Sequence, residues 1–461
     1  MSSVPFDSRL NRIRMLVLHL GLMIGLNAME YGSAAELTIP KQTAETGARS
    51  PKLAELDRLM RSAVKRQRIS GASLAITKNG RLVYARGFGY ADLERNRPVQ
   101  PDSLFRIASL SKPITAVAIL QLIQRRKLTL DDRVVDIVTV RPRRSADQSN
   151  PSGSQRVGEG LDARWKQITI RQLLHHSGGW DRDVSFDPMF RSVKIAEAFG
   201  KRPPAEPPDI IRYMRGQKLD FDPGTRYAYS NFGYSLLGRV IEKLSGMGYE
   251  QYVQTKVLKP LGIRSMRIGR TLAKGRFHGE VRYYTQHGTT GSAVVGPRLG
   301  KPVPQPYGAW YLEAMDSHGG WIGSAIDLVR FASAFDNPNR CKVLSARSIV
   351  TMFARPPAPL WTDAKGKPKR EYYACGWMVR PRSGKVTTWH TGSLPGTSTL
   401  LVRRADGVDF TVLFNVDTTQ NGRRTTSVVE SPIHRAIDRI STWPRRNLFQ
   451  HPQKHKTATA P

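Results

Sequence analysis

Ser109-Leu-Ser-Lys112 sets a serine and a lysine three residues apart at the head of an apolar run, Ile114, Val117, Ala118, Leu120 and Ile123, that has helical period. Residues three apart share a helix face, so the Ser109 hydroxyl and the Lys112 amine can touch. A serine hydroxyl is a poor nucleophile until a neighbour takes its proton, and an amine can do so once burial and nearby charge depress its pKa. The chemistry such a pair supports is acyl transfer through an acyl-serine. The residues by themselves also fit plainer roles, an N-capping serine and a solvent-facing helix lysine. Ser62-Ala-Val-Lys65 repeats the spacing, but within Leu53, Leu56, Leu59, Met60, Ala63 and Val64 it reads as an ordinary amphipathic helix.

Two downstream triplets separate Ser109 from Ser62. Tyr229-Ser-Asn231 is the only Tyr-x-Asn in the chain, and His390-Thr-Gly392 the only His/Lys-Thr-Gly. Tyr229 and Asn231 stand two apart in an extended approach to a helix around Leu236, Leu237, Val240, Ile241 and Leu244, so their side chains project to one side. A buried, hydrogen-bonded tyrosine followed by a helix-capping asparagine is the competing reading. His390-Thr-Gly392 is expected to end a strand that starts near Val386, with Gly392 admitting close approach to the backbone.

These motifs and their surroundings resemble the serine beta-lactamase-like superfamily, which includes class C beta-lactamases, low-molecular-weight penicillin-binding proteins and related esterases. The resemblance extends through Gly71-Ala-Ser-Leu-Ala-Ile-Thr-Lys-Asn-Gly80, Gly87-Phe-Gly-Tyr-Ala-Asp92, Leu128-Thr-Leu-Asp-Asp132 and Ile168-Thr-Ile-Arg-Gln-Leu-Leu-His-His-Ser-Gly-Gly179. It continues with Phe221-Asp-Pro-Gly224 and Gly319-Gly-Trp-Ile-Gly-Ser-Ala-Ile-Asp-Leu328, covering about residues 50 to 440. It implies Ser109 as nucleophile, Lys112 as proton relay, and Tyr229 as general base and later acid to the leaving group. Asn231, His390, Thr391 and Gly392 would bind substrate, and the backbone N–H groups of Ser109 and Ser393 would form the oxyanion hole. The departure is His390, where the family's beta-lactamases mostly carry lysine. A histidine beside Lys112 should be mostly neutral at pH 7 and offer no fixed cation to a substrate carboxylate. The resemblance therefore implies a serine hydrolase acting on an ester or amide, as esterase, D-amino-acid peptidase or weak beta-lactamase. The alternative is a non-catalytic, penicillin-binding-protein-like envelope binding protein.

Turn signals and apolar periodicity locate the strands and helices around these residues. Asn79-Gly80 predicts a hairpin between Ala72–Lys78 and Arg81–Gly89, and Ala405-Asp-Gly407 a turn between Thr399–Arg404 and Asp409–Val416. A helix over about Lys52–Gln67 precedes the first pair. Pro432 opens another helix, with Ile433, Ala436, Ile437 and Ile440 on one face. Strands at both ends and helices between predict a mixed α/β (α+β) fold: an antiparallel sheet flanked by N- and C-terminal helices, with a helical lobe inserted over about residues 110–320. That is also the beta-lactamase/transpeptidase-like architecture the resemblance implies.

Residues 1–35, with Arg9, Arg12 and Arg14 ahead of Met15–Leu26 and a small-residue site at Gly32-Ser-Ala-Ala35, read as an export signal. Residues 36–50 read as a linker, 51–443 as the hydrolase domain and 444–461 as a disordered basic tail. Arg141–Ser154 reads as a polar surface loop, and 274–306 as a Gly/Pro-rich added loop. No transmembrane segment is expected in the mature chain, and a periplasmic or envelope location follows.

The net charge of +35 invites a nucleic-acid reading. The basic residues are scattered and no nucleic-acid-binding motif accompanies them, so no nucleic-acid partner is expected; an anionic envelope surface is the more economical partner, beside the equal alternative of a generally basic surface with no dedicated partner. His175-His176 lacks companions at ligand spacing, so no metal and no organic cofactor is expected. His176 is expected to hydrogen-bond a loop behind the site.

Overall fold

The computed structural model describes residues 40, 42–138 and 162–450. The expected export signal, the Arg141–Ser154 loop and the end of the tail lie outside the described residues.

A nine-stranded antiparallel sheet carries the fold, in the order β1-β3-β2-β14-β13-β12-β11-β10 with β4 paired to β3. Its strands are β1 (Glu45–Thr46), β2 (Gly71–Lys78), β3 (Arg81–Asp92), β4 (Arg97–Pro98), β10 (Tyr372–Tyr373), β11 (Met378–Arg382), β12 (Lys385–Leu394), β13 (Thr397–Arg403) and β14 (Val408–Phe414). Asn79 and Gly80 both take positive φ, +49° and +73°, as the tight β2–β3 turn requires. β14 pairs with β2 in the register Val412↔Leu74, so the two ends of the chain meet in the middle of the sheet.

Alternate residues on these strands enter different cores, because side chains on a strand project to opposite faces. Leu74, Ile76, Leu400, Val402, Phe410 and Val412 pack with Leu56, Met60 and Val64 of the helix Ala54–Arg66 and Ile433 and Ile437 of the helix Glu430–Asp438. Ala75, Leu401 and Leu413 face the opposite core, shared with the helices Ser111–Gln124 and Ala325–Ser333. A sheet covered on both sides explains strands that are nearly all apolar.

The inserted lobe is built around Ser111–Gln124, in which every residue from Ser111 to Leu122 is buried. A helix apolar on all sides belongs in a core, and here Asn231–Ser245 and Ile170–Leu174 pack around it. A three-stranded sheet in the order β5-β9-β6, made of β5 (Phe105–Arg106), β9 (Trp321–Gly323) and β6 (Arg267–Ile268), supports the approach to that helix. Within 274–306, β7 (Thr290–Ser292) and β8 (Pro302–Pro304) form a short ribbon.

Four details depart from the sequence reading. The segment read as a linker contributes β1, and Glu45 pairs with the buried Arg86 at 3.1 Å. Residues 444–450 dock on the sheet, with Leu448 N donating to Leu82 O at 2.8 Å and Phe449 beneath the Arg330 guanidinium. β12 does not end at His390-Thr-Gly392 but runs through it to Leu394, because Gly392 and Ser393 keep their pairing with Thr399 and Ser398 of β13. The last helix begins at Glu430, leaving Pro432 in the first turn, where its missing N–H costs nothing. Cys341 and Cys375 are both free. Among the described residues no helix is long and apolar enough to cross a membrane.

Candidate functional site

Ser109 is delivered by a tightly held strand end. Arg106 donates through its guanidinium to Pro306 O at 2.6 Å and Arg270 O at 2.8 Å, and Ile107 N donates to Trp321 O at 2.9 Å. Ala108 then adopts φ +48°, a left-handed conformation that costs a non-glycine residue roughly 1–3 kcal/mol. A single 3-10 turn, Ala108–Leu110, follows and leads into the helix from Ser111. The Ser111 hydroxyl donates to Ala108 O at 2.7 Å and secures the bend. Ser109 thus sits in the lead-in turn, and it is the one residue from Ser103 to Leu122 that is not fully buried.

Two groups converge on its hydroxyl. Tyr229 Oη donates to Ser109 Oγ at 2.8 Å, and Lys112 Nζ lies 3.1 Å from the same oxygen. Lys112 Nζ also donates to Asn231 Oδ1 and to His318 O, each at 2.8 Å. These two are pure acceptors, so a neutral Lys112 can satisfy both with N–H bonds and turn its lone pair to Ser109. Burial pushes the Lys112 pKa well below its usual 10.5, with Arg182 adding to the effect and Asp187 opposing it. Burial pushes the Tyr229 phenol up from 10.0, so it is a neutral donor at physiological pH.

Tyr229 and Asn231 reach the site from the start of a helix, where Ser230, rather than Asn231, is the N-cap and accepts from Gly233 N at 3.1 Å. His176 secures this approach. Its backbone O accepts from Ala228 N at 2.8 Å, its Nδ1 accepts from Ser230 N at 3.1 Å, and its ring lies 4.4 Å from that of Tyr229. Burial drives its pKa well down, which keeps Nδ1 free to accept. His175 diverges to place Nε2 3.8 Å from Cys375 Sγ. Trp180, Trp321, Tyr307 and Trp310 are all buried, and Trp321 Nε1 donates to Tyr249 Oη at 3.1 Å.

His390 is buried one layer out, its ring 6.4 Å from that of Tyr229. Its Nδ1 lies 2.7 Å from Thr391 O and its Nε2 3.0 Å from Tyr373 Oη, so Nδ1–H donates to the carbonyl and Nε2 accepts from the phenol. Burial, and then Lys112, lower its pKa to about 3. Alternation along β12 places Thr391 and Ser393 on the face away from His390 and Gly392. A Cβ on Gly392 would stand 2.6 Å from Ile107 O and 3.0 Å from Ser109 N, so only glycine lets β12 pass this close to the serine. Thr399 Oγ1, donating to Ile107 O at 3.0 Å, ties the neighbouring strand to the same turn.

Two residues were not singled out from sequence. Asp187 accepts from Asn231 Nδ2 at 2.6 Å, with its own pKa raised by burial. The Arg182 guanidinium lies 4.9 Å from the centre of the Tyr229 ring. Both sit on an irregular segment whose sequence, Asp181 to Phe190, carries no periodic signal.

The Beta-lactamase family matches residues 56–430. Penicillin-binding protein 4* of Bacillus subtilis is 27% identical over 357 residues, covering 76% of this chain and 69% of that longer relative. Among solved structures, the D-amino acid amidase from Ochrobactrum anthropi SV3 superposes with a TM-score of 0.59 at 20% identity, covering 84% of this chain and 98% of the amidase. EstCE1, a hydrolase with promiscuous acyltransferase activity, does so with a TM-score of 0.61 at 19% identity, covering 84% and 98%.

Proposed function

The chain belongs to the beta-lactamase family, and from that premise we propose that it is an exported serine hydrolase acting on an ester or amide through an acyl-Ser109 intermediate. The observation that carries this is the convergence of Lys112 Nζ and Tyr229 Oη on the one partly exposed residue of an otherwise buried turn, 3.1 Å and 2.8 Å from Ser109 Oγ. The D-amino acid amidase and the hydrolase EstCE1 among its structural likenesses support an acyl substrate, and the N-terminal Arg-apolar-small pattern supports export. Residues 51–443 form the hydrolase domain in this reading.

In acylation, Ser109 Oγ bonds to the acyl carbon while its proton passes to Lys112, whose pKa burial has brought down, rather than to Tyr229, the general base the family resemblance implied, because burial keeps that phenol protonated. Tyr229, held neutral, gives its phenolic proton to the leaving atom as the acyl bond breaks, and regains one from Lys112. The Ser109 and Ser393 N–H groups take the oxyanion. Asn231, with Oδ1 committed to Lys112 and one N–H to Asp187, keeps a second N–H for the substrate carbonyl. Water then repeats the sequence on the acyl-serine and releases the acid.

Intact mass after incubation with a fluorophosphonate tests the reading. Wild type gains one adduct and Ser109→Ala none. Labelling that persists in Ser109→Ala overturns the nucleophile assignment, and its absence from wild type favours a binding protein. N-terminal sequencing of the processed chain tests export, with a start near Glu36 expected.

A further inference from the structure

We propose that Arg182 forms an anion subsite on the leaving-group side of the site, selecting acyl donors whose leaving group carries a carboxylate. The proposal rests on the serine hydrolase reading above. Arg182 projects from a turn pinned at both ends. Asp181 N and Ser185 Oγ donate to Asp220 Oδ2 at 2.7 Å and 3.0 Å, and Asp187 is held by Asn231.

The acids around Arg182 are committed elsewhere. Asp181 binds Arg226 at 2.7 Å, and Asp187 takes Asn231 Nδ2 and Met189 N. Among the described residues, the ion-pair contact left to Arg182 is its neighbour Asp183 at 3.9 Å, whose side chain is 90% exposed, a pairing worth little in water. The guanidinium is nevertheless held against the ring of Tyr229, whose hydroxyl donates to Ser109 Oγ and in the proposed mechanism protonates the leaving atom.

Charge completes the argument. His390 is neutral and faces Tyr373, and Lys112 is the buried base, so neither grips a substrate anion. Arginine keeps its charge throughout the working pH range, and its fork matches a carboxylate. The side chain is 43% exposed, leaving the fork open to a ligand. The cation that position 390 does not supply is thus supplied by Arg182, beside the Tyr229 ring. In turnover the acyl–X bond breaks, X leaves as H–X with the Tyr229 proton, and the carboxylate attached to X stays on Arg182 until product departs.

The test compares the hexanoyl thioester of thioglycolate with that of methyl thioglycolate, which differ only in the leaving-group carboxylate. Wild-type kcat/KM should favour the anionic ester by about tenfold or more, the value of one hydrogen bond to a charged group. In Arg182→Gln the ratio should fall to near one, and Arg182→Lys should recover part of it. If Arg182 acts only on the ionisation of Tyr229, both esters slow together, the pH profile moves and the ratio stays, which overturns the proposal.

A binding arm is independent of turnover. By calorimetry, Ser109→Ala should bind the anionic thioester more tightly than the methyl ester, and the Ser109→Ala/Arg182→Gln protein should bind both equally. Equal affinities in Ser109→Ala overturn the subsite. Failure of Ser109 to label overturns the hydrolase reading alone. Should Arg182→Gln not fold, Arg182→Met replaces it in both arms.

Discussion

Asp187 Oδ2 lies 2.6 Å from Asn231 Nδ2, and this contact fixes which end of the Asn231 amide faces Lys112. With its NH2 turned to the carboxylate, the amide presents its oxygen to Lys112 Nζ at 2.8 Å. A residue from an irregular loop thereby orients the partner of the base, and its charge opposes the depression of the Lys112 pKa.

Removing that charge should therefore move the pH profile. In the proposed mechanism the rate should rise with pH as Lys112, whose pKa burial lowers, gives up its proton. Asp187→Asn keeps an acceptor for Asn231 but withdraws the charge that favours the ammonium, so the acid limb of kcat/KM should shift to lower pH. A limb that stays in place or moves upward in a stopped-flow pH series would show that Lys112 is not the titrating base.

Lys112 and Tyr229 share one oxygen, so their losses should not multiply. Lys112→Ala and Tyr229→Phe should each lower kcat by several orders of magnitude, roughly 10³-fold or more, and the double variant should be little worse than the worse single. Multiplicative losses in single-turnover measurements would separate the two roles.

Gly392→Ala should act on catalysis more than on folding. The added methyl meets Ile107 O, Ser109 N and Thr399 Oγ1, all in or tied to the nucleophile turn. Overpacking of this kind costs about 1–3 kcal/mol of stability, whereas a displaced reacting group loses on the order of 10²-fold in rate. Denaturant unfolding and acylation rates read the two effects separately. Unaltered acylation by Gly392→Ala would mean that β12 does not border the reacting atoms.

His390 should leave a mark on stability rather than on the pH-rate profile. Its folded pKa of about 3 lies below the ordinary value of 6.5, so between these the unfolded chain binds the extra proton and stability rises with pH. The contribution is complete above 6.5 and is lost as pH falls toward 3. Relative to His390→Asn, wild type should therefore show an additional slope of about 1.4 kcal/mol per pH unit over pH 4 to 6. Parallel stability-pH lines from urea unfolding would show that His390 is not held neutral.

The features set by local spacing were legible in the sequence. Asn79-Gly80 specified a hairpin because only a pair tolerant of positive φ makes that turn. Ser109 and Lys112 are three residues apart on one helical path, so their contact needed nothing but the helix. His390 at the lysine position of the family motif announced a neutral side chain, although burial rather than Lys112 proves the larger cause.

What tertiary structure alone decided are the properties that depend on neighbours distant along the chain. The lowered pKa of Lys112 comes from desolvation by a lobe that brings Asn231 and His318 across 119 and 206 residues, and no local pattern encodes that enclosure. Asp187 and Arg182 lie on a segment without period, where a side chain's direction is set by its anchors at Asp220 and Asn231. The course of β12 through His390-Thr-Gly392 follows from its pairing with β13, and the docking of 444–450 from the edge of β3 that it covers. Spacing names candidates for chemistry, but the dielectric around them and the charges facing them exist only once the chain has closed on itself.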